Sequence, residues 1–218
     1  MTLEDSLLSI LSCQRFLTVH ELSSLSQQED YPCQRELMQL ENQNLIYKRY
    51  FAGRYYFRIR KISILTDFGK KANTYLDHRP QALKLCQART CYDHLAGKIG
   101  INLFQILLDM DLVEAKSTDI YYLTEQGQKT LSKLLSYSIN QQQQLKTCID
   151  FSERIPHLSG ELGRLFLATL LKKKFLKTTD NRRIIELKLI KSFFCEDYLT
   201  DKNISLVLPI IRVIRLFK

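Results

Sequence analysis

The chain has 218 residues, which is enough for one or two ordinary domains. Apolar residues make up 45% and charged residues 25%, a balance that excludes a disordered chain and a membrane-embedded one. With only 7 Gly and 4 Pro, chain breakers are too sparse for an all-β fold with many turns, so we expect a mainly helical protein. No apolar run reaches the roughly 18 residues of a membrane span, and the acidic start differs from a secretory leader. We therefore expect a cytoplasmic protein without a membrane partner.

The formal net charge of +9 favours a polyanionic partner, because basic side chains release counterions when they neutralise phosphates. The excess lies at the end of the chain, where residues 172–218 hold 12 basic against 5 acidic residues. Residues 1–61 are almost balanced, with 8 against 7. A nucleic-acid site in the first part of the chain must therefore be argued from local patterns.

Three helices are predicted in the first 45 residues. Leucines at positions 3, 7 and 11 repeat at helical spacing, and Thr18 with Glu21 has the spacing of a capping box that starts a second helix. Pro32 suits the first turn of a third helix, in which Cys33, Leu37, Leu40 and Asn44 share one side. The opposite side of this helix carries Tyr31, Arg35, Met38, Gln39 and Asn42, with Gln34 on its flank.

A cationic β-hairpin follows the third helix. The segment from Lys48 to Lys61 contains six cationic residues and no acid, and its aromatic strands surround a turn at Gly53. The order of helices and hairpin resembles the winged helix-turn-helix of ArsR-family transcriptional regulators. The resemblance implies that the third helix enters the major groove of DNA and that the hairpin, or wing, contacts the phosphate backbone.

From the pattern and this resemblance we predict a DNA-contacting surface and a homodimer. The predicted contact residues are Tyr31, Gln34, Arg35, Gln39, Lys48, Arg49 and Arg54. Dimer contacts are expected from the first helix and from residues 64–76. The chain departs from the family pattern at Glu29 and Asp30, where neutral polar residues are expected. This departure leaves an alternative open, a protein-interaction or effector-binding module that derives from such a regulator but does not bind DNA.

The second half of the chain contains an internal repeat. The motif from Cys91 to Gly100 recurs 63 residues later from His157 to Gly163, and an amphipathic helix follows each copy. These motifs, with Cys148–Arg154, resemble the C-terminal region of one ArsR subgroup, and the likeness extends over about residues 1–199. A leucine-threonine-x-x-glycine motif occurs at Thr66 and again at Thr124. Each copy predicts a helix that begins with a threonine cap.

The predicted fold is mainly α with small β wings, of the α+β class. It comprises a winged helix-turn-helix domain (1–76), two reduced winged-helix-like repeats (77–137 and 145–199) and a tail of unassigned role (200–218).

Two cysteine and histidine pairs belong to the repeat: Cys91 with His94, and Cys148 with His157. If the repeats face each other, thiolates and imidazoles could bind zinc or copper, or the thiols could respond to oxidants. The alternative is burial in a core without chemistry. We name these four residues as effector or redox candidates and assign neither a metal nor a cofactor to them. The paired cysteines that ArsR metal sensors carry on the third helix are absent, since Cys33 stands alone there.

No enzyme signature is present. The chain lacks a phosphate-binding glycine loop, GxSxG and HExxH, and its glycines at 97, 100, 160 and 163 are expected to allow close packing. A cationic cluster, Lys172, Lys173, Lys174, Lys177, Arg182 and Arg183, is either a solvated face or an additional phosphate contact. We predict a dimeric DNA-binding transcriptional regulator, with repression as the expected output and a small effector as an open question.

Overall fold

The computed structural model describes residues 1–61, 64–85, 87–140, 142–179 and 185–187. The chain forms two compact units: unit 1 comprises Met1–Lys84 and Phe151–Ile155, and unit 2 comprises Leu85–Asp150 and the described residues from Pro156 onward. Helices and strands occur in both units, which confirms the predicted α+β class. Within the described part of the chain, no helix combines the length and apolar character needed to cross a bilayer.

Some predictions concern residues that the structure does not describe. The predicted tail, residues 200–218, and the cationic residues Arg182 and Arg183 lie outside the described ranges. The predicted domain limits stay predictions, although residues 1–76 all fall within unit 1.

In the described part of unit 1, helices surround a three-stranded antiparallel sheet with strand order β1-β3-β2. The elements in chain order are α1 (Leu3–Leu11), β1 (Leu17–Thr18), α2 (Val19–Ser26), α3 (Asp30–Asn42), β2 (Ile46–Phe51), β3 (Arg54–Ile59), α4 (Asp67–Asp77) and α5 (Pro80–Leu85). This is the order of helices and hairpin that the sequence predicts for a winged helix-turn-helix.

The core of unit 1 lies between the helices α1, α2, α3 and α4 and the sheet. Its fully buried side chains include Leu7, Ile10, Leu11, Leu22, Leu37, Leu40, Ile46 and Leu76. The inner side of α3, with Cys33, Leu37 and Leu40, is buried as predicted. Asn44 is not part of that side, because α3 ends at Asn42 and Asn44 is exposed with φ 57°. Asparagine tolerates this left-handed conformation, which turns the chain into β2.

A capping box starts α2, as predicted from Thr18 and Glu21. The Glu21 amide donates to the Thr18 hydroxyl at 3.3 Å, and the Thr18 amide donates to the Glu21 carboxylate at 2.8 Å. Glu21 is nonetheless only 7% exposed, because its other carboxylate oxygen accepts a hydrogen bond from Arg154 at 2.8 Å. Arg79 approaches the same oxygen at 3.8 Å.

Arg154 belongs to a five-residue segment, Phe151–Ile155, that packs within unit 1 although it is distant in sequence. The Phe16 amide donates to the carbonyl of Arg154 at 2.9 Å. The Arg79 guanidinium donates to the carbonyls of Phe151 and Ser152 at 3.0 and 2.9 Å. The Arg154 guanidinium also lies 5.0 Å from the Tyr56 ring centroid. Side-chain and backbone bonds therefore both hold this segment in place.

Unit 2 contains short two-stranded hairpins and helices. Its elements are β4 (Arg89–Cys91), β5 (His94–Ala96), α6 (Gly97–Asp109), β6 (Val113–Ser117), β7 (Ile120–Leu123), α7 (Glu125–Leu135), β8 (Thr147–Ile149), β9 (Pro156–Leu158), α8 (Gly160–Lys172), β10 (Leu176–Thr178) and β11 (Ile185–Leu187). The order hairpin, helix, hairpin thus occurs twice. The helices α6 and α8 have 13 residues each and begin 63 positions apart. Whether each copy is a reduced winged helix stays a prediction.

The two copies pack across each other. Helix α8 contacts β5 of the first copy, and α6 contacts β9 of the second. Their apolar faces share one core, which includes Leu103, Phe104, Leu107, Phe166, Leu167 and Leu170. A Cβ at Gly163 would lie 2.7 Å from the Leu158 carbonyl oxygen and 3.1 Å from the His94 Cβ. Close approach therefore requires glycine here, in agreement with the sequence-based expectation.

Threonine caps begin α4 and α7, as the leucine-threonine-x-x-glycine motif predicts. The Thr66 hydroxyl accepts from the Gly69 amide at 3.1 Å, and the Thr124 hydroxyl accepts from the Gly127 amide at 2.9 Å. The Thr124 hydroxyl also donates to the Asp111 carbonyl at 2.6 Å. This bond presses the first turn of α7 against the preceding backbone, where a Cβ at Gly127 would lie 1.8 Å from the Leu112 carbonyl oxygen.

Replacing Gly127 with alanine is expected to lower the free energy of unfolding of unit 2 by about 2–3 kcal/mol, since the clash is with backbone and must displace α7. The adjacent Gln126→Ala is the matched control, because Gln126 is exposed on the same turn. Urea unfolding followed by circular dichroism checks this prediction. Equal midpoints for the two variants would contradict it.

Replacing Arg154 with methionine is expected to destabilise unit 1 by about 3 kcal/mol, because it leaves the buried Glu21 carboxylate without its closest cation. The double variant Glu21→Gln/Arg154→Met should recover part of this loss, since a neutral amide then replaces the buried carboxylate. Arg164→Met, at an exposed position of α8, serves as the control. Hydrogen exchange of the α2 amides measures the effect, and a single variant as protected as the unmodified protein would refute the prediction.

Candidate functional site

The outer side of α3 is exposed as predicted. Its exposed residues are Tyr31, Gln34, Arg35, Met38, Gln39 and Asn42, and the Tyr31 side chain is 75% exposed. The buried stripe on the opposite side keeps the helix in place. The exposed side therefore presents an arginine, two glutamines and a tyrosine on a rigid helix, which are side chains suited to hydrogen bonding with base edges.

The acidic start of α3 has a structural role. The Ser23 hydroxyl of α2 donates to the Asp30 carboxylate, and the exposed His20 imidazole lies 3.6 Å from the same carboxylate. Asp30 is the first residue of α3, where a negative charge interacts favourably with the free amides of the helix start. The carboxylate that departs from the family pattern thus links α2 to α3.

The hairpin β2–β3 carries cations on both of its faces. Lys48 pairs with Glu41 of α3 at 2.5 Å and lies 5.5 Å from the Tyr55 ring centroid. The strand register places Arg49 opposite Tyr56 and Arg54 opposite Phe51, so these two arginines share the other face. Arg54 is exposed at the end of the hairpin, beside the turn at Ala52 and Gly53.

These contacts divide the predicted cations by role. Lys48 fixes the hairpin against α3, because its charge is already paired with Glu41. Arg49 is half-buried and lies 5.8 Å from the Phe51 ring centroid. Arg54, at the exposed tip, is the predicted wing cation best placed to reach a phosphate.

The four residues Cys91, His94, Cys148 and His157 come together within unit 2. Cys91 and His94 are cross-strand partners in the hairpin β4–β5, and Cys148 and His157 are cross-strand partners in β8–β9. Strands β5 and β9 contact each other, so each hairpin contributes one cysteine and one histidine. Sulfur and imidazole nitrogen atoms of all four residues lie within 4.8 Å of one another.

Both histidines are buried and their Nε2 atoms face each other at 3.1 Å. Burial lowers the pKa of His157 to about 4, so this imidazole is neutral near pH 7. Burial also opposes protonation of His94, but hydrogen bonds and charges of Cys148 and Asp93 outweigh it and raise its pKa. Hydrogen bonds from Cys91, His94 and Ser159 lower the pKa of the Cys148 thiol, which favours its thiolate form.

A carboxylate lies near the Nδ1 atom of each imidazole. Asp93 lies 3.2 Å from the Nδ1 atom of His94. The fully buried Asp150 lies 3.8 Å from the Nδ1 atom of His157, and it accepts hydrogen bonds from Arg89 at 2.9 Å and from the Gly97 amide at 2.7 Å. His157 Nδ1 has no hydrogen-bond partner among the described residues.

Sequence reasoning identified the four cysteine and histidine residues but missed the residues around them. Arg89, Asp150 and Ser159 were not singled out, although Asp150 and Ser159 lie within the motifs of the repeat. No local pattern could have found them, because Arg89 is the first residue of β4, and Asp150 and Ser159 follow the ends of β8 and β9. The sequence also contains no periodic pattern that predicts the packing of Phe151–Ile155 within unit 1.

The chain is similar to an uncharacterized HTH-type transcriptional regulator, YdfF, of Bacillus subtilis (strain 168). It is 33% identical to this chain over 108 residues, which cover 46% of this chain and 46% of the relative. The match therefore spans about half the length of each protein. No family model and no solved structure matches the chain.

Regulators of this type are not enzymes, which agrees with the absence of an enzyme signature in the sequence. The partial match supports a relationship to the HTH-type transcriptional regulators in general, and not to a particular subgroup.

Proposed function

We propose that this chain is a DNA-binding transcriptional regulator that contacts duplex DNA through the exposed side of α3 and the tip of the hairpin β2–β3. The observation that carries the proposal is the position of an exposed polar helix face beside a cationic hairpin, with Lys48 and Glu41 joining the two. The partial match to an HTH-type regulator supports the same general function.

The chemistry of each contact follows from the side chain. Arg35 suits the O6 and N7 acceptors of guanine in the major groove, and Gln34 and Gln39 suit the donor and acceptor pair of adenine. Tyr31 adds a hydroxyl at the start of the helix. Arg49 and Arg54 would neutralise phosphates, which positions the helix without reading sequence.

A dimer would allow two copies of α3 to read two half-sites. Exposed apolar side chains between residues 64 and 76 offer a surface for a second copy, with Ile64 at 91%, Leu65 at 42% and Tyr75 at 41% exposure. The proposed regulator is of the ArsR type, acts in the cytoplasm and represses transcription. A small effector is its proposed further partner.

The DNA interface is tested with two arginine variants and a control. Arg35→Ala should weaken binding to the preferred duplex by about 1–3 kcal/mol and relax its sequence preference, because a base contact is lost. Arg54→Ala should weaken binding to all sequences alike and lower the slope of log K against log salt by about one, since one phosphate contact is lost. Lys133→Ala removes one positive charge from an exposed position of α7, outside the proposed DNA and dimer surfaces, and should change neither.

Fluorescence anisotropy with DNA from upstream of the protein's own gene, at several salt concentrations, measures all three. If both arginine variants bind like the unmodified protein, the DNA interface is refuted and the protein-interaction alternative is favoured.

The oligomeric state is a separate prediction. Sedimentation equilibrium of the full chain should give the mass of two protomers, because the apolar surface around Ile64 and Tyr75 is expected to be covered by a second copy. Tyr75→Glu should shift the equilibrium toward monomer through charge burial. A chain that sediments as a monomer at every concentration, and binds DNA as one, would contradict the dimer.

A further inference from the structure

The cluster of Cys91, His94, Cys148 and His157 has the composition of a metal site. Two thiolates and two imidazoles are a ligand set that zinc commonly takes in tetrahedral structural sites. Ligand atoms of the four residues lie within 4.8 Å of one another. The residues come from two hairpins of unit 2, so the site does not depend on the DNA-binding surface of unit 1.

The geometry can be compared with that of a bound ion. Zinc bonds of about 2.0–2.1 Å to nitrogen and about 2.3 Å to sulfur separate tetrahedral ligand atoms by about 3.3–3.8 Å. The facing Nε2 atoms of His94 and His157 are 3.1 Å apart, close to that value. The ligand atoms of the cluster are at most 4.8 Å apart. This limit exceeds the largest separation between zinc ligands by roughly 1 Å, a difference that side-chain rotation can remove.

The surroundings orient the two imidazoles for coordination through Nε2. Histidine ligands of metals usually donate their other ring nitrogen to a carboxylate or a carbonyl, which fixes the ring and its tautomer. Asp93 lies on the Nδ1 side of His94 at 3.2 Å, and Asp150 lies on the Nδ1 side of His157 at 3.8 Å. Both rings therefore direct Nε2 inward and Nδ1 toward an acid.

Burial and charge favour a divalent ion. His157 is fully buried, and its Nδ1 atom has no hydrogen-bond partner among the described residues. A dication would cancel the charges of two thiolates, so that the closed cluster is neutral. The carboxylate of Asp150 is already balanced by Arg89 at 2.9 Å.

We propose that Cys91, His94, Cys148 and His157 form a zinc site, in which Sγ of each cysteine and Nε2 of each histidine bind one Zn²⁺ ion per chain. Asp93 acts as a positioning residue through its contact with the Nδ1 atom of His94. The two hairpins β4–β5 and β8–β9 are held together through the ion. Binding is an exchange reaction: Zn²⁺ replaces the proton of any ligand thiol that is still protonated, and that proton passes to solvent.

The test uses the full chain, kept reduced, stripped with a chelator and titrated with Zn²⁺ alone. Native mass spectrometry should show one zinc per chain, and titration against a chromogenic chelator gives the Kd. Cys148→Ser and His157→Ala should weaken binding at least about 100-fold, since each removes a ligand. Asp93→Asn should weaken it by about tenfold. Cys13→Ser and His20→Ala, which alter a cysteine and a histidine of unit 1, should leave the Kd unchanged.

A second measurement needs no variant and therefore does not depend on how the variants fold. Zn²⁺ should protect Cys91 and Cys148 of the unmodified protein from alkylation, and Co²⁺ in its place should show the visible spectrum of a tetrahedral ion with thiolate charge transfer. The proposal is overturned if the stripped chain takes up no zinc, if Cys148→Ser binds as tightly as the unmodified chain, or if the two cysteines are joined in a disulfide under reducing conditions.

Discussion

The buried carboxylate of Asp150 is the constraint on which unit 2 depends. A fully buried carboxylate costs several kcal/mol unless it is paired and hydrogen-bonded. Asp150 meets this condition with donors from the first copy of the repeated order, the Arg89 guanidinium at 2.9 Å and the Gly97 amide at 2.7 Å. It follows β8 of the second copy directly. One side chain therefore joins the two copies at the place where their cysteine and histidine pairs meet.

Helix packing between the two copies also determines how the hairpins β4–β5 and β8–β9 lie together. Because α8 packs on β5 and α6 packs on β9, neither copy buries its helix face by itself. The absent side chain at Gly163 lets α8 approach the backbone of Leu158 and the side chain of His94 closely. The packing of each helix on the hairpin of the other copy places His94 against His157. The geometry of the cluster is thus a product of helix packing as much as of the hairpins themselves.

Local patterns in the sequence predicted the elements well where the chemistry is local. The capping box of Thr18 and Glu21, the buried stripe of α3 and the threonine caps at Thr66 and Thr124 all depend on residues within a few positions of one another. The repeat also identified the cysteine and histidine pairs. Pairings across long separations were not predictable, because Arg89 with Asp150, or Glu21 with Arg154, carry no periodic signal. The positions of the cations in the sequence also could not show that Lys48 forms an ion pair with Glu41 whereas Arg54 is exposed.

The segment Phe151–Ile155 has a consequence for how the chain can be divided. It returns to unit 1 from a position in sequence between β8 and β9, so the chain passes from one unit to the other at three places. A truncation after Lys84 would retain every helix that the DNA proposal requires. It would still lack Arg154, the nearest cation of Glu21, and the carbonyl that accepts the Phe16 amide. Unit 1 is therefore discontinuous in sequence, and a gene fragment that ends at Lys84 encodes only part of it.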